Sequence, residues 1–202
     1  MTIRPVGGSA LLIECRDGAH VEAWRAELWR RRESGELAVV DIVPGARTVL
    51  LDGVAAGTES LLRAWTPPEN AASRSDSPLV EIPTSFDGED LADVADRWGI
   101  RRDHAVARLS ETELTVAFCG FAPGFAYLRG LKDEWSVPRL PAPRPRVPAG
   151  AVALAGGYAG IYPTASPGGW RLVGHTTANL FDIRREPPAL LTPGTRVRLV
   201  AK

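Results

Sequence analysis

The chain opens with two short apolar runs, Thr2–Val6 and Ala10–Cys15, joined by Gly7-Gly8, which predicts a two-residue β-hairpin. From His20 to Arg32 the pattern changes to helical spacing. Val21, Trp24 and Leu28 fall on one face, arginines cluster in the last turn, and Gly35 stands where a helix stops. Leu37–Val43 and Thr48–Leu51, rich in Val, Leu and Ile around Pro44-Gly45-Ala46-Arg47, predict a second hairpin, and Thr58 is placed to cap a helix running through Trp65. The order ββαββα implies an α+β layer with both helices on one face of an antiparallel sheet. Thr66–Ser77 is polar and rich in breakers, so it reads as a linker between a domain at 1–77 and one at 78–202.

The second unit begins with Leu79–Ile82, a strand expected to stop at Pro83, and a helix over Asp87–Trp98 with Leu91, Val94, Ala95 and Trp98 on one face. A shorter helix is predicted over Asp103–Leu109. Leu114, Val116 and Phe118 alternate with Thr115, Ala117 and Cys119, the signature of a half-buried strand. The remaining runs, Ala151–Ala155, Trp170–Val173, Ala178–Ile183 and Arg196–Val200, are short and bounded by turns such as Thr192-Pro193-Gly194, which predicts a small closed β-barrel. No internal repeat is visible.

Composition narrows the function classes. A chain of 202 residues with 45% hydrophobic content can bury real cores. Its 24 basic and 24 acidic residues cancel, so no global field recruits nucleic acid or an anionic membrane. The N-terminus lacks a charged region followed by a long apolar one, and no apolar run approaches the length of a membrane span, so the expected location is the cytoplasm. Cys15 and Cys119 are too few for a disulfide framework and lack zinc-ligand spacing; both read as structural, and no metal site is expected.

Local chemistry concentrates in Val147–Thr176, where glycines and prolines are interleaved with apolar and hydroxyl residues. Glycine lets a ligand approach the main chain, and Pro163 and Pro167 stiffen the loop between two strand-like runs. No Asp or Glu occurs between Glu134 and Asp182, whereas Arg139, Arg144, Arg146 and Arg171 all do. That electropositive island suits a carboxylate, carbamate or phosphate, although a glycine-rich barrel with solvated arginines has the same composition. Arg139 and Arg144 lie among Pro138, Pro141, Pro143, Pro145 and Pro148, where a stiff chain loses little entropy on pairing. Arg144 is expected to find no carboxylate of its own locally and so to bind an anionic ligand. Tyr162, Ser166 and Trp170, with the backbone N–H groups of Gly168 and Gly169, are placed to complete the pocket. His175, with an unperturbed pKa of about 6.5, is the candidate proton relay; the alternative is a hydrogen-bonded histidine at a barrel rim. Gly169–Thr176 approximates a P-loop but has histidine in place of lysine and a strand-like interior, so it is not read as a nucleotide site.

The segments FAPGFAYL (Phe121–Leu128), PRL, VPAG, AGG, GIYP, SPGGW, GHT and LFD, in that order, together with VEIP and the terminal PGTRV, closely resemble the KipI family, whose members are also described as allophanate hydrolase subunit 1 and as the B component of 5-oxoprolinase. The resemblance spans nearly the whole chain. It implies a ferredoxin-like N-terminal domain, a cyclophilin-like β-barrel, and a hetero-oligomer with two partners. One is a KipA-like subunit, the C component of 5-oxoprolinase or allophanate hydrolase subunit 2, and the other is a third lactam-utilisation subunit. The implied activity is ATP-dependent opening of 5-oxo-L-proline to L-glutamate, with ATP held elsewhere in the assembly. Two departures stand out. Tyr158 and Ala159 replace the family's Gln-Thr, leaving Tyr158 as a candidate substrate contact, and Ala126 replaces a proline. Phe121, Phe125 and Tyr127, around the Pro123-Gly124 turn, are expected to contact the KipA-like partner. The alternatives are a carboxyl-transfer component for allophanate processing, similar to the carboxyltransferase part of urea carboxylase, and an inhibitor that binds a histidine kinase.

Overall fold

A computed structural model describes residues 2–67 and 79–202. Most of the expected linker lies outside the described residues. The chain forms two compact units, Met1–Asp76 and Ser77–Lys202.

In the first unit, strands β1 (Thr2–Val6), β2 (Ala10–Glu14), β3 (Asp41–Pro44) and β4 (Thr48–Asp52) form an antiparallel sheet of order β1-β2-β4-β3. Helices α1 (Gly18–Glu33) and α2 (Thr58–Ala64) complete the order ββαββα. Alternate residues Ile3, Leu11, Ile13, Ile42, Val49 and Leu51 pack with Val21, Trp24 and Leu28 of α1 and Leu62 of α2, so both helices cover one face. Asp17 caps α1, its Oδ1 accepting the His20 N–H at 2.8 Å. The α1 arginines are structural: Arg30 and Arg31 both pair with Glu27 and Glu36, and Arg31 stacks 4.0 Å from the Trp65 ring. Two boundaries differ from expectation. Leu37 is buried but the strand begins only at Asp41, and the cap of α2 is Gly57 in the left-handed region, Thr58 being the first helical residue.

The second unit carries β5 (Leu79–Thr84), α3 (Leu91–Arg97), α4 (Arg102–Glu111), β6 (Leu114–Cys119), β7 (Ala126–Arg129), β8 (Arg144–Val147), β9 (Ala151–Ala155), β10 (Tyr158–Ile161), β11 (Ser166–Gly168), β12 (Arg171–His175) and β13 (Arg196–Ala201). Seven strands form one barrel-like sheet of order β12-β9-β10-β7-β6-β13-β5, and β8 and β11 make a separate ribbon. A bridge joins the two ends of the sheet: Ser85, just past β5, and His175, at the end of β12, exchange backbone hydrogen bonds of 2.9 and 2.8 Å. Pro83 does not stop β5, because that strand pairs in parallel with β13 on one side and Pro83 needs no donor on the other.

Helix α3 begins at Leu91 rather than Asp87. The residues ahead of it cross β12 closely, and a Cβ on Gly88 would collide with the backbone of Leu172 and Val173. Ala178–Ile183 is not a strand; within it only Phe181 makes a bridge, to Ala189. Strands β7, β8, β10 and β11 arise within stretches read as loop. Three of the four positions of β10 are buried and β8 contains a proline, so neither shows a period of two. The main core gathers Leu91, Val94, Leu109, Leu114, Val116, Leu128, Val152, Leu154, Val173 and Leu199 beneath α3 and α4. Among the described residues no helix is long and apolar enough to cross a membrane, and no cluster of three or more His, Cys, Asp or Glu could hold a metal ion.

Candidate functional site

A cavity of about 150 Å³ opens beside the β8–β11 ribbon, lined by Phe121, Phe125, Tyr127, Arg139, Tyr162, Pro167, Gly168, Gly169 and Trp170. It brings together residues that the sequence divides between a pocket and a partner surface. Edge-to-face contacts build its walls: Phe125 meets Tyr162 at 5.3 Å, Trp170 at 5.5 Å and Tyr127 at 5.1 Å. Glycines make room for the rings. A side chain on Gly168 would strike the Tyr162 hydroxyl, and one on Gly160 would meet both Trp170 and Phe125. Phe125 is 2% exposed, so it is a wall of the core and not the partner anchor expected of it. Tyr127 is half-buried, and Phe121 alone of the three is well exposed, at 62%.

Arg139 is the cavity's cation. It is exposed and has no carboxylate partner among the described residues. Burial pushes the Tyr162 phenol up, opposed by the Trp170 backbone N–H, which donates to its oxygen, and by the positive charge of Arg139 and Arg144, so the hydroxyl is a neutral donor at physiological pH. The site therefore offers a guanidinium, a neutral phenol, aromatic faces and the close backbone of Gly168 and Gly169.

Two further arginines of the island are engaged. Arg144 Nε lies 2.6 Å from Glu89, and its Nη2 donates to both oxygens of Asp90 at 2.9 Å. This overturns the expectation that no carboxylate reaches Arg144: the acids come from the segment ahead of α3, far away in sequence. Arg171 donates to the Pro138 carbonyl at 2.9 Å and pairs with Asp93. His175 Nδ1 lies 2.8 Å from Asp87 Oδ1, at the bridge between the sheet's ends. Asp90 is also tied to β12: its backbone N–H donates to the Leu172 carbonyl at 2.9 Å, and its Oδ2 accepts the Leu172 N–H at 2.7 Å. Asp87, Glu89, Asp90 and Asp93 thus form an acidic edge facing Arg144, Arg171 and His175. The acidic spacing of FDGEDLAD carries the signal, but helical periodicity in that stretch highlights its apolar positions instead.

Of the remaining candidates, Tyr158 packs behind the cavity, 5.9 Å from the Tyr127 ring and 5.6 Å from Phe118. Ser166 lies in the ribbon opposite Val147, its Oγ buried without a partner among the described residues. Neither these two nor His175 lines the cavity. Cys119 donates to the Leu191 carbonyl at 3.4 Å, and burial pushes its thiol up to about 11, so it carries no thiolate at neutral pH. Gly169–Thr176 is mostly strand β12 and does not lead into a helix, unlike a phosphate-binding loop.

Comparison with known proteins is consistent with this picture. A family model described as carboxyltransferase domain, subdomain C and D, matches residues 1–191. The chain is 38% identical to the B component of 5-oxoprolinase from Escherichia coli O157:H7, over 96% of this chain and 93% of that protein. The crystallised protein TTHA0988 superposes with a TM-score of 0.77 at 33% identity, covering 100% of this chain; the chain spans only 40% of that one. The urea amidolyase of Kluyveromyces lactis shares the fold, with a TM-score of 0.70 at 20% identity over 100% of this chain and 15% of that chain.

Proposed function

Because the chain belongs to the family of carboxyltransferase domain, subdomain C and D, we propose that it acts as the B component of an ATP-dependent 5-oxoprolinase-type complex and that its aromatic cavity receives the lactam acid. The observation that carries this reading is Arg139, a cation without a carboxylate partner among the described residues, set in the lining of a small aromatic cavity. A five-membered lactam carrying a carboxylate matches each feature. The carboxylate pairs with the guanidinium, the planar amide lies against the rings, and the carbonyl oxygen meets the Tyr162 phenol or the backbone N–H of Gly168 or Gly169. Hydrolysis adds one water and breaks the ring C–N bond, yielding an open amino diacid. Donors aimed at the carbonyl oxygen favour that attack, because negative charge grows there.

ATP does not fit this cavity. About 150 Å³ is below the 300–1,000 Å³ or so of drug-sized ligand sites, and strand β12 offers no phosphate loop, so the nucleotide is not assigned to this cavity. The same reading assigns activation to other subunits, a KipA-like one and a third lactam-utilisation one, and makes this chain inactive alone. The seven-stranded sheet supports reading the second unit as a cyclophilin-like barrel; the ferredoxin-like reading of the first rests on resemblance. The test is reconstitution with both partner subunits and assay of ATP-dependent conversion of 5-oxo-L-proline to L-glutamate. Arg139→Ala is expected to lower kcat/KM roughly ten- to a hundredfold, the loss of one charge-assisted bond. Turnover by the isolated chain, or full activity of the Arg139→Ala complex, overturns the proposal.

A further inference from the structure

Phe121 is the only non-glycine among the described residues with a positive φ, at 71°. The Ala122 N–H donates to the Gly120 carbonyl at 2.9 Å across it, so Phe121 is the central residue of a γ-turn of the rare, strained kind. Two more hydrogen bonds lock the turn, from Phe125 N–H to the Ala122 carbonyl at 2.9 Å and from Gly120 N–H to the Phe125 carbonyl at 3.2 Å. Glycine would occupy this conformation without penalty. Burial does not account for a phenylalanine here, since the residue is 62% exposed. What the strained backbone achieves is placement of the ring. It stands edge-to-face with Phe125 at 5.3 Å and Tyr162 at 6.2 Å, in the cavity lining that includes Arg139.

We propose that Phe121 is a specificity-determining residue whose ring, braced against Phe125 and Tyr162 at the mouth of the cavity, stacks on the flat face of a cyclic amide, so that the site prefers a ring lactam acid to an open-chain acid of the same charge. The inference rests on the reading of the cavity as the lactam-acid site. Arg139 binds any small carboxylate and cannot tell the two classes apart. An aromatic face at the mouth can, because stacking requires a planar partner and excludes water from the ion pair. Strained residues persist where the surrounding structure over-determines them, and they cluster at ligand clamps.

The test compares Phe121→Ala, which keeps the strained backbone but removes the ring, with Phe121→Gly, which removes both, and Phe121→Tyr, which keeps the ring. In the reconstituted complex, KM for 5-oxo-L-proline is measured alongside the inhibition constant of pentanoate, an open-chain acid of the same charge with no planar amide. Phe121→Ala and Phe121→Gly are expected to raise KM about tenfold with little change in the inhibition constant, and Phe121→Tyr to restore KM. Phe121→Gly should also melt about 2 to 4 °C above Phe121→Ala, because the γ-turn no longer opposes the backbone. An unchanged KM in Phe121→Ala, or equal losses for both ligands, overturns the inference. Arg139→Ala separates the two readings: if it abolishes binding of both acids while Phe121→Ala is silent, the cavity reading stands and the clamp falls; if Arg139→Ala is itself silent, the cavity reading falls first.

Discussion

Arg139 and Arg144 lie in the same proline-rich stretch and have opposite surroundings. Arg144 is pinned by Glu89 and Asp90 where the segment ahead of α3 crosses β12, whereas Arg139 lines the cavity with no carboxylate partner among the described residues. A half-buried guanidinium held by two acids, one of them bonded to β12, contributes to the fold and is unavailable to a ligand. An exposed guanidinium beside aromatic rings contributes little to the fold and is available. The difference shows that an excess of positive charge along a sequence does not identify a binding site until the acids that fold against it are known.

The contrast is most vulnerable at the seam between Asp90 and β12. Asp90→Ala removes one of the two carboxylates on Arg144 and the acceptor of the Leu172 N–H, leaving a mostly buried cation with only the exposed Glu89 and an unpaired donor, and is expected to destabilise the second unit by about 3 kcal/mol in urea denaturation. A loss below about 1 kcal/mol would mean that water replaces these partners and that the seam is not a structural lock. Gly88→Ala probes the same crossing through packing alone. Its new methyl would press on the Leu172–Val173 backbone, costing about 1 to 3 kcal/mol by the same measurement, with no charge altered.

Acid titration tests the seam by sign. Arg97 first, and then Arg171, hold the Asp93 carboxyl below its ordinary value, so this pairing stabilises the fold above about pH 4 and is lost as pH falls through the depressed value. Stability followed from pH 6 to pH 2 should therefore fall less steeply in Asp93→Asn than in the parent chain; equal slopes would remove Asp93 from the acid-sensitive set. Arg139→Ala should change stability least of all, within about 0.5 kcal/mol, because it leaves no carboxylate unpaired among the described residues. A larger loss would show that Arg139 belongs with Arg144 and is not reserved for a ligand.

Much of the architecture is legible in the chain. Apolar spacing in Val21, Trp24 and Leu28 marks α1, and alternation in Leu114, Val116 and Phe118 marks β6, because each element buries one face against a core. Strands β7, β8, β10 and β11 are not legible: three of the four positions of β10 are buried, β8 contains proline and β11 is only three residues long, so the two-residue period is missing or too short to see. Several cavity residues, Arg139, Tyr162, Gly168, Gly169 and Trp170, follow from composition and motif. The merger of Phe121, Phe125 and Tyr127 into that same lining does not, since it depends on the β6–β7 turn folding back over the ribbon.

Locally encoded features can be read from the residues alone: the order of elements in the first unit, most of the turns, and a glycine- and proline-rich stretch around which a small-molecule site is built. The pairing of charges and the meeting of the sheet's two ends belong to the folded molecule. Asp90 meets Arg144 and Leu172, and Ser85 bridges His175, across separations along the chain that no local pattern records. The reason is physical. Helix and strand periodicities arise from neighbours a few residues apart, whereas an ion pair depends on which segments a curved sheet brings within about 4 Å, and that distance is set by the packing of the whole unit.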